Sequence, residues 1–168
     1  MKLGEATVIA ERMKAELAPH CERIEIAGSI RRRKTEVGDI EIVAIPKPYD
    51  VGLFASGVAL VLDRLPIVRG HLPCKATQRM LPEGIALDVF FATRENWGLI
   101  FAIRTGSADY SHHVLAHGWA RRGYVSKWGM LRYLDGRDSD GRAIATPEEE
   151  DVFRIAGVSW VPPEARNL

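Results

Sequence analysis

The stretch that decides the fold reads Gly28-Ser29-Ile30-Arg31-Arg32-Arg33-Lys34, followed shortly by Asp39-Ile40-Glu41. The first motif joins a Gly-Ser turn to four consecutive cations. Backbone N–H groups at such a turn and guanidinium groups both bind phosphate oxygens. The sequence therefore predicts a phosphate-sized anion site directly before the apolar run that contains the second motif.

The second motif places two carboxylates on one face of a strand. Side chains at positions i and i+2 share a face, so Asp39 and Glu41 project side by side, with α-carbons roughly 7 Å apart. A divalent cation removes the repulsion between them, and oxygen ligands suit Mg²⁺ or Mn²⁺. The pair alone also fits the solvated face of an edge strand. The phosphate-type turn just before it favours the metal interpretation.

A third carboxylate, Asp88, lies in the middle of a second apolar strand that runs from Gly84 to Ala92. A lone acid in such a strand is costly unless it is paired, hydrogen-bonded or bound to a metal. If the two strands are neighbours, Asp88 joins Asp39 and Glu41. The three acids are then candidate catalytic and metal-ligating residues of a two-metal site, which clamps the attacking and leaving oxygens of an in-line displacement.

Hydrophobic periodicity before residue 105 predicts three helices and five strands, and the strands are expected to form a mixed sheet. The helices are expected at about 4–18, 51–64 and 95–104, and the strands at about 23–28, 38–45, 66–71, 76–81 and 85–92. The first helix has Ala6, Ile9, Met13 and Leu17 at helical spacing, and this apolar stripe is expected to pack on the core. A lobe boundary is expected near residues 93–105.

Capping signals define the remainder of the chain. Ser107 is the predicted N-cap of a helix over 108–122, and a hairpin turning near Gly129 is predicted over 124–133. Thr146, followed by proline and two glutamates, predicts a helix over 147–156 with an acidic first turn.

The ordered motifs together resemble those of the family X DNA polymerases and, more broadly, of the nucleotidyltransferase superfamily. They are Gly28-Ser29, Arg32, Gly38-Asp39-Ile40-Glu41, Asp88, Thr105-Gly106-Ser107, and the closing segment from Thr146 to Arg166. The resemblance implies an α+β fold: a nucleotidyltransferase-type palm with a mixed β-sheet and flanking helices over 1–104, and a small α/β thumb over 105–168. It implies a minimal palm-plus-thumb form.

The resemblance also implies a function and a set of site residues. The implied reaction adds dNMP from a dNTP to a primer 3′-hydroxyl, in template-directed repair or gap-filling synthesis, with two Mg²⁺ ions or Mn²⁺ as a substitute. Asp39, Glu41 and Asp88 would be its catalytic residues and metal ligands. The residues implied to bind the triphosphate are Gly28, Ser29 and Arg32. Those implied to bind the nucleotide or sugar are Arg104, Thr105, Gly106 and Ser107. Those implied to contact primer–template or gapped DNA are Arg31, Arg33, Lys34, Lys75, Arg79, Ser111, His112, Arg121 and Arg122.

Several positions depart from the family pattern. Glu41 stands where the family usually has Asp, and Ile103-Arg104 stands where an aromatic pair is common. Ser111 and Leu115 occupy positions that are often Asn and Arg, and Ala86 replaces a frequent basic residue. The loss of these polar groups leads to the hypothesis of relaxed sugar selection and low fidelity.

Composition limits the function class. The chain has 168 residues and a net charge of +1, so nucleic-acid contacts must come from local basic patches. It has neither a Walker P-loop nor a G-x-G-x-x-G motif. Two cysteines, no signal peptide and no apolar run of bilayer length favour a cytoplasmic monomer, in a host cell if the protein is viral, with no membrane partner. Two alternatives stay open: a nucleotidyltransferase with a small-molecule, protein or RNA acceptor, and a catalytically weak nucleic-acid-binding module.

Three histidines in the predicted helix over 108–122 are candidates for metal binding. His113 and His117 lie one helical turn apart and can reach one ion, with His112 adjacent to them. There is no acid between them in the protease pattern and no cysteine nearby. The sequence favours plain surface exposure, then a DNA or substrate contact, over zinc.

Overall fold

A strand that is apolar on both faces organises the first part of the chain. This strand, β2 (Asp39–Pro46), buries Ile40 and every residue from Ile42 to Ile45. Such burial requires partner strands at both edges and cover on the faces. The computed structural model describes residues 1–48, 57–134 and 141–168. It places β2 inside a five-stranded mixed sheet.

This sheet belongs to the first of two compact units, Met1–Ala92. Its elements are α1 (Leu3–Leu17), β1 (Cys21–Ile26), α2 (Gly28–Arg31), β2, α3 (Gly57–Leu62), β3 (Ile67–Arg69), β4 (Ala76–Met80) and β5 (Ala86–Phe91). The strand order is β1-β2-β5-β4-β3, with β2 and β5 parallel and the other described pairs antiparallel. The predicted helix over 51–64 is observed from Gly57, and residues 51–56 lie outside the described residues.

Helix α1 supplies much of the core of this unit. Its predicted apolar stripe of Ala6, Ile9, Met13 and Leu17 is buried in one cluster with residues of the sheet, as the 3.6-residue period requires. The mixed sheet with flanking helices confirms the predicted α+β class.

The second compact unit is Thr93–Leu168, so it begins at the first residue of the range 93–105 in which the lobe boundary is expected. Helix α4 (Trp97–Thr105) belongs to this unit, because its Leu99 and Ala102 lie in the core of the unit. The palm and thumb bounds at 104 and 105 stay predictions. The later elements are α5 (Ala108–Tyr110), a π-helical segment (Ser111–Ala116), α6 (His117–Arg121), β6 (Tyr124–Lys127), β7 (Met130–Tyr133), β8 (Ala143–Ile144) and α7 (Glu149–Ala156). Ser107 is the N-cap, as predicted, and β6 and β7 form the predicted hairpin.

The start of α7 corrects the predicted N-cap. Glu148 caps the helix, and its side chain and that of Asp151 form a reciprocal capping box. Thr146 is instead buried, and its backbone pairs with Glu95 and Gly98 through hydrogen bonds of 2.7 Å each. These bonds hold the backbone of Thr146 against the segment that contains Glu95 and Gly98. The helix therefore begins after Glu148, later than predicted.

A buried ion pair attaches the C-terminal segment to α7. Arg166 is fully buried, and its Nη1 donates to Glu149 Oε1 at 2.6 Å while its Nε donates to the Val161 carbonyl at 3.0 Å. Removing one partner of such a pair typically costs about 3–5 kcal/mol, because the other charge stays buried. In the described part of the chain, no helix combines the length and the apolar character needed to cross a bilayer.

Candidate active site

Three carboxylates lie on one face of the two parallel strands. Glu41 of β2 stands opposite Asp88 of β5, and Asp39 precedes Glu41 by two positions. Opposed residues on neighbouring strands share a face and lie roughly 5 Å apart. The register therefore places the three acids on one face of the sheet, and their joint binding of a metal ion stays a prediction. Their oxygen-only donor set fits Mg²⁺ or Mn²⁺, and their role as ligands stays a prediction.

Asp88 is buried, and both of its oxygens have protein donors. Gln78 Nε2 donates to Oδ2 at 2.9 Å, and Arg69 Nη2 donates to Oδ1 at 3.2 Å. Gln78 is opposite Asp88 in the antiparallel register of β4 and β5, which fixes the amide in place. The Arg69 side chain is 68% exposed. Oδ2 is thus oriented by the neutral amide of Gln78. Oδ1 is paired with the cationic Arg69, and most of the Arg69 side chain is accessible to water.

Sequence reasoning missed Arg69 and Gln78. Their role depends on the pairing of β3, β4 and β5, which no local motif encodes. The sequence signal is only that Arg69 and Gln78 are polar residues inside predicted strands.

The Gly-Ser turn directly touches the carboxylate strand. The Ala27 N–H donates to the Glu41 carbonyl at 2.8 Å, so the turn begins beside Glu41. Gly28 has φ +63°, and a Cβ there would lie 1.9 Å from Glu41 Oε2. The positive φ favours glycine at this position, and the close approach means that a larger residue would displace the Glu41 carboxylate.

The next residue carries a polar atom suited to a ligand. Ser29 Oγ is buried and has no hydrogen-bond partner among the described residues. Such a hydroxyl costs about 1–3 kcal/mol unless something else satisfies it. Its position beside Gly28 and the acids fits the predicted contact with a phosphate oxygen.

Arg32 places a guanidinium near the same acids. It follows α2 as its C-cap residue. Burial lowers the pKa of Arg32, and the charges of Glu41 and then Asp39 act in the opposite direction. The guanidinium is therefore within electrostatic range of both acids, and a bidentate contact with a phosphate suits its chemistry.

The crowding of the acids affects stability through Asp39. Burial, and then the charge of Asp88, raise the pKa of Asp39 above its ordinary value of 3.8, while Arg32 and Arg69 oppose the rise. At a pH between the unfolded pKa and the raised folded pKa of Asp39, the folded chain holds a proton on this carboxyl group that the unfolded chain has released. The stability contributed by Asp39 is therefore present below the unfolded pKa and is lost as the pH rises through the folded pKa.

We expect an Asp39→Asn variant to be more stable than the parent at neutral pH in the absence of divalent metal, because it has no carboxylate to ionise. The advantage should shrink as the pH approaches 3.8, the ordinary pKa of the carboxyl group. Thermal unfolding of both proteins with a chelator present measures the difference. A parent more stable than the variant at neutral pH would contradict this interpretation.

The predicted DNA contacts differ in exposure, and one of them is wrong. Arg79 is fully buried, where its Nη2 donates to Asp63 Oδ1 at 3.0 Å and its Nε donates to Thr77 Oγ1 at 3.1 Å. It is therefore a structural residue.

Ser111 Oγ donates to the Ile103 carbonyl at 2.9 Å, which gives this hydroxyl a structural role. Arg31 is partly exposed, and the exposed members of the predicted set are Arg33, Lys34, Lys75, His112, Arg121 and Arg122.

The predicted nucleotide- and sugar-binding residues lie in the second unit. Thr105 and Gly106 are buried, Arg104 is exposed, and Ser107 Oγ accepts from the Tyr110 N–H at 3.1 Å. Leu115, at a position where the family often has Arg, is fully buried in the core. The binding role of these residues stays a prediction.

Comparison with known proteins agrees with this architecture. Residues 101–167 match the family described as DNA polymerase beta thumb. The crystal structure of Leishmania infantum polymerase beta, a ternary P/T complex, matches with a TM-score of 0.72 and 18% sequence identity, covering 100% of this chain and 77% of that chain. No curated protein sequence matches significantly. The shared fold and the thumb match confirm the resemblance to the family X DNA polymerases.

Proposed function

We propose that this chain, with the fold of polymerase beta and a matching thumb segment, is a metal-dependent DNA nucleotidyltransferase. The primer 3′-hydroxyl attacks the α-phosphate of a dNTP, dNMP is added to the primer, and pyrophosphate leaves. The observation that carries the proposal is the register of Glu41 against Asp88, with Asp39 on the same face and the unpartnered Ser29 hydroxyl close by. An acid cluster and a phosphate-binding turn in contact with each other fit nucleotidyl transfer better than either feature alone.

Each residue has a role that follows from its position. Asp39 and Glu41 would hold both Mg²⁺ ions, and Asp88 would bind the ion nearer the attacking oxygen. When bound, the two ions stabilise the charge that develops on the attacking and leaving oxygens. Ser29 and Arg32 would bind the terminal phosphates, and a carboxylate oxygen of Asp88 would accept the proton of the 3′-hydroxyl. Catalysis then consists mainly of positioning and charge stabilisation.

Primer extension by the full chain tests the proposal. Each of the four dNTPs, and each ribonucleotide, is offered on one-nucleotide-gapped, recessed and single-stranded DNA with Mg²⁺ or Mn²⁺. We expect addition of the dNMP complementary to the template base. Matched and mismatched nucleotides opposite one template base measure fidelity, and strong discrimination would overturn the hypothesis of low fidelity.

The same assay separates the alternatives. Transfer to the ends of RNA, to protein or to small hydroxyl compounds, without DNA extension, would identify a different acceptor. A folded chain that binds DNA and never transfers a nucleotide would indicate a binding module. Either result would overturn the proposal.

We expect Ser29→Ala to raise the KM for dNTP about 10-fold or more, because a hydrogen bond to a charged group is worth about 1.5–3 kcal/mol. Without nucleotide, its thermal midpoint should equal or exceed that of the parent, since the change removes a buried hydroxyl that has no described partner. Steady-state kinetics and thermal unfolding measure the two effects. The matched control is Ser126→Ala, at an exposed strand position. A lower midpoint with an unchanged KM would instead make Ser29 a structural residue.

A further inference from the structure

A change of helical register brings three histidines together in the second unit. The stretch from Ala108 to Arg121 is helical throughout, but its middle, Ser111–Ala116, is π-helical. The His117 N–H donates to the carbonyl of His112, five residues earlier. Five residues of an α-helix turn the side chain away by about 140°, whereas a turn closed by an i→i+5 hydrogen bond brings positions i and i+5 back to the same side of the helix. The π segment therefore returns His117 to the side of the helix that carries His112.

The three imidazoles form a compact exposed cluster. The ring centroids are 4.8 Å apart for His112 and His113, 5.0 Å for His112 and His117, and 5.4 Å for His113 and His117. One potential ligand nitrogen from each ring lies within 4.8 Å of the others. All three side chains are exposed, so rotation of the rings needs no repacking of the core.

We propose that His112, His113 and His117 form a three-histidine site for a borderline divalent metal, with Zn²⁺ as the reference ion. Tetrahedral Zn–N bonds of about 2.0–2.1 Å place ligand nitrogens about 3.3 Å apart. The cluster therefore has to close by at most about 1.5 Å, which side-chain rotation provides. Three imidazoles prefer Zn²⁺, Ni²⁺, Co²⁺ or Cu²⁺ to Mg²⁺, so this site differs in chemistry from the carboxylate cluster.

The surroundings indicate what completes the coordination. His113 and His117 also line a cavity of about 350 Å³ together with Arg121 and Arg122. Two neighbouring guanidinium groups disfavour a bare dication and favour a charge-neutralising ligand. The three-nitrogen set leaves the fourth position open to water or to a small anion, as in catalytic rather than structural zinc sites.

Competition of the full chain with a chromophoric zinc chelator, in excess Mg²⁺ to fill sites made of oxygen ligands, tests the proposal. We expect the parent to bind one Zn²⁺, and His117→Gln to weaken binding by at least about 100-fold, since loss of an outer-shell partner alone costs 10–100-fold. His71→Gln is the matched control, because His71 is also exposed but lies in the first unit. A Cys74→Ser background excludes the partly exposed thiol as a ligand.

Cobalt provides an independent readout. Co²⁺ bound by the parent should give tetrahedral visible bands without thiolate charge transfer, and His112→Gln and His113→Gln should each abolish them. Circular dichroism checks that the variants stay folded. Absence of zinc binding, or equal binding by the parent and His117→Gln, would overturn the proposal.

Discussion

An Asp88→Asn variant should keep the fold of the parent and lose nucleotide incorporation by at least about 10³-fold, which is about 4 kcal/mol of transition-state stabilisation. The amide oxygen can still accept from Gln78 Nε2, so the buried position keeps an oriented acceptor. The exposed Arg69 loses a carboxylate partner, which costs little in water. What the variant lacks is the negative charge that a catalytic metal requires and the oxygen that accepts the proton. Single-turnover primer extension measures the loss.

The matched control for this variant is Glu83→Gln, another acid-to-amide change in the same unit. Glu83 is paired with Arg12 at the surface through a contact of 2.6 Å, so its carboxylate already has a partner outside the three acids. The Glu83→Gln variant should extend primers at the parental rate. A folded Asp88→Asn protein that also does so would remove Asp88 from the catalytic machinery, and with it the two-metal interpretation.

The sequence predicted the local parts of this site because their signals are local. The pair Asp39 and Glu41 follows from a period of two, and the phosphate turn follows from Gly28-Ser29. The apolar run around Asp88 predicted its strand. What the sequence did not contain was the register that sets Glu41 against Asp88, although the buried acid required a partner of some kind.

The predictions that failed did so for one physical reason: contacts between residues far apart in the sequence decided the outcome. Arg79 has the composition of a surface cation, but a fully buried position opposite Leu87 and a bond to Asp63 decide its role. Thr146 has the sequence of an N-cap, but its backbone is already bonded to Glu95 and Gly98. α-Helical spacing predicted that His113 and His117 lie close together but not that His112 and His117 do. The π turn that brings His117 to the side of His112 has no recognised sequence signal.

A Gly28→Ala variant should lose at least about 100-fold in nucleotide incorporation through the displacement of Glu41. The new Cβ would lie 1.9 Å from Glu41 Oε2 and 2.7 Å from its Cδ, so the carboxylate must move by about 1.5 Å to reach an ordinary contact. A misplacement of about 1 Å in a catalytic group typically costs about 10²-fold in rate. The loss should appear in the rate of the chemical step and in the Mg²⁺ dependence of nucleotide binding.

Gly84→Ala separates this effect from backbone strain. Gly84 has φ +77°, close to the +63° of Gly28, but a Cβ there would meet no atom within 4 Å. Both variants should therefore lose about 1–2 kcal/mol of stability from placing alanine in the left-handed region. Only Gly28→Ala should lose activity, because only its methyl group reaches a carboxylate of the cluster. Equal activity losses in the two variants would assign the effect to general destabilisation, and full activity of Gly28→Ala would show that Glu41 does not need its present position.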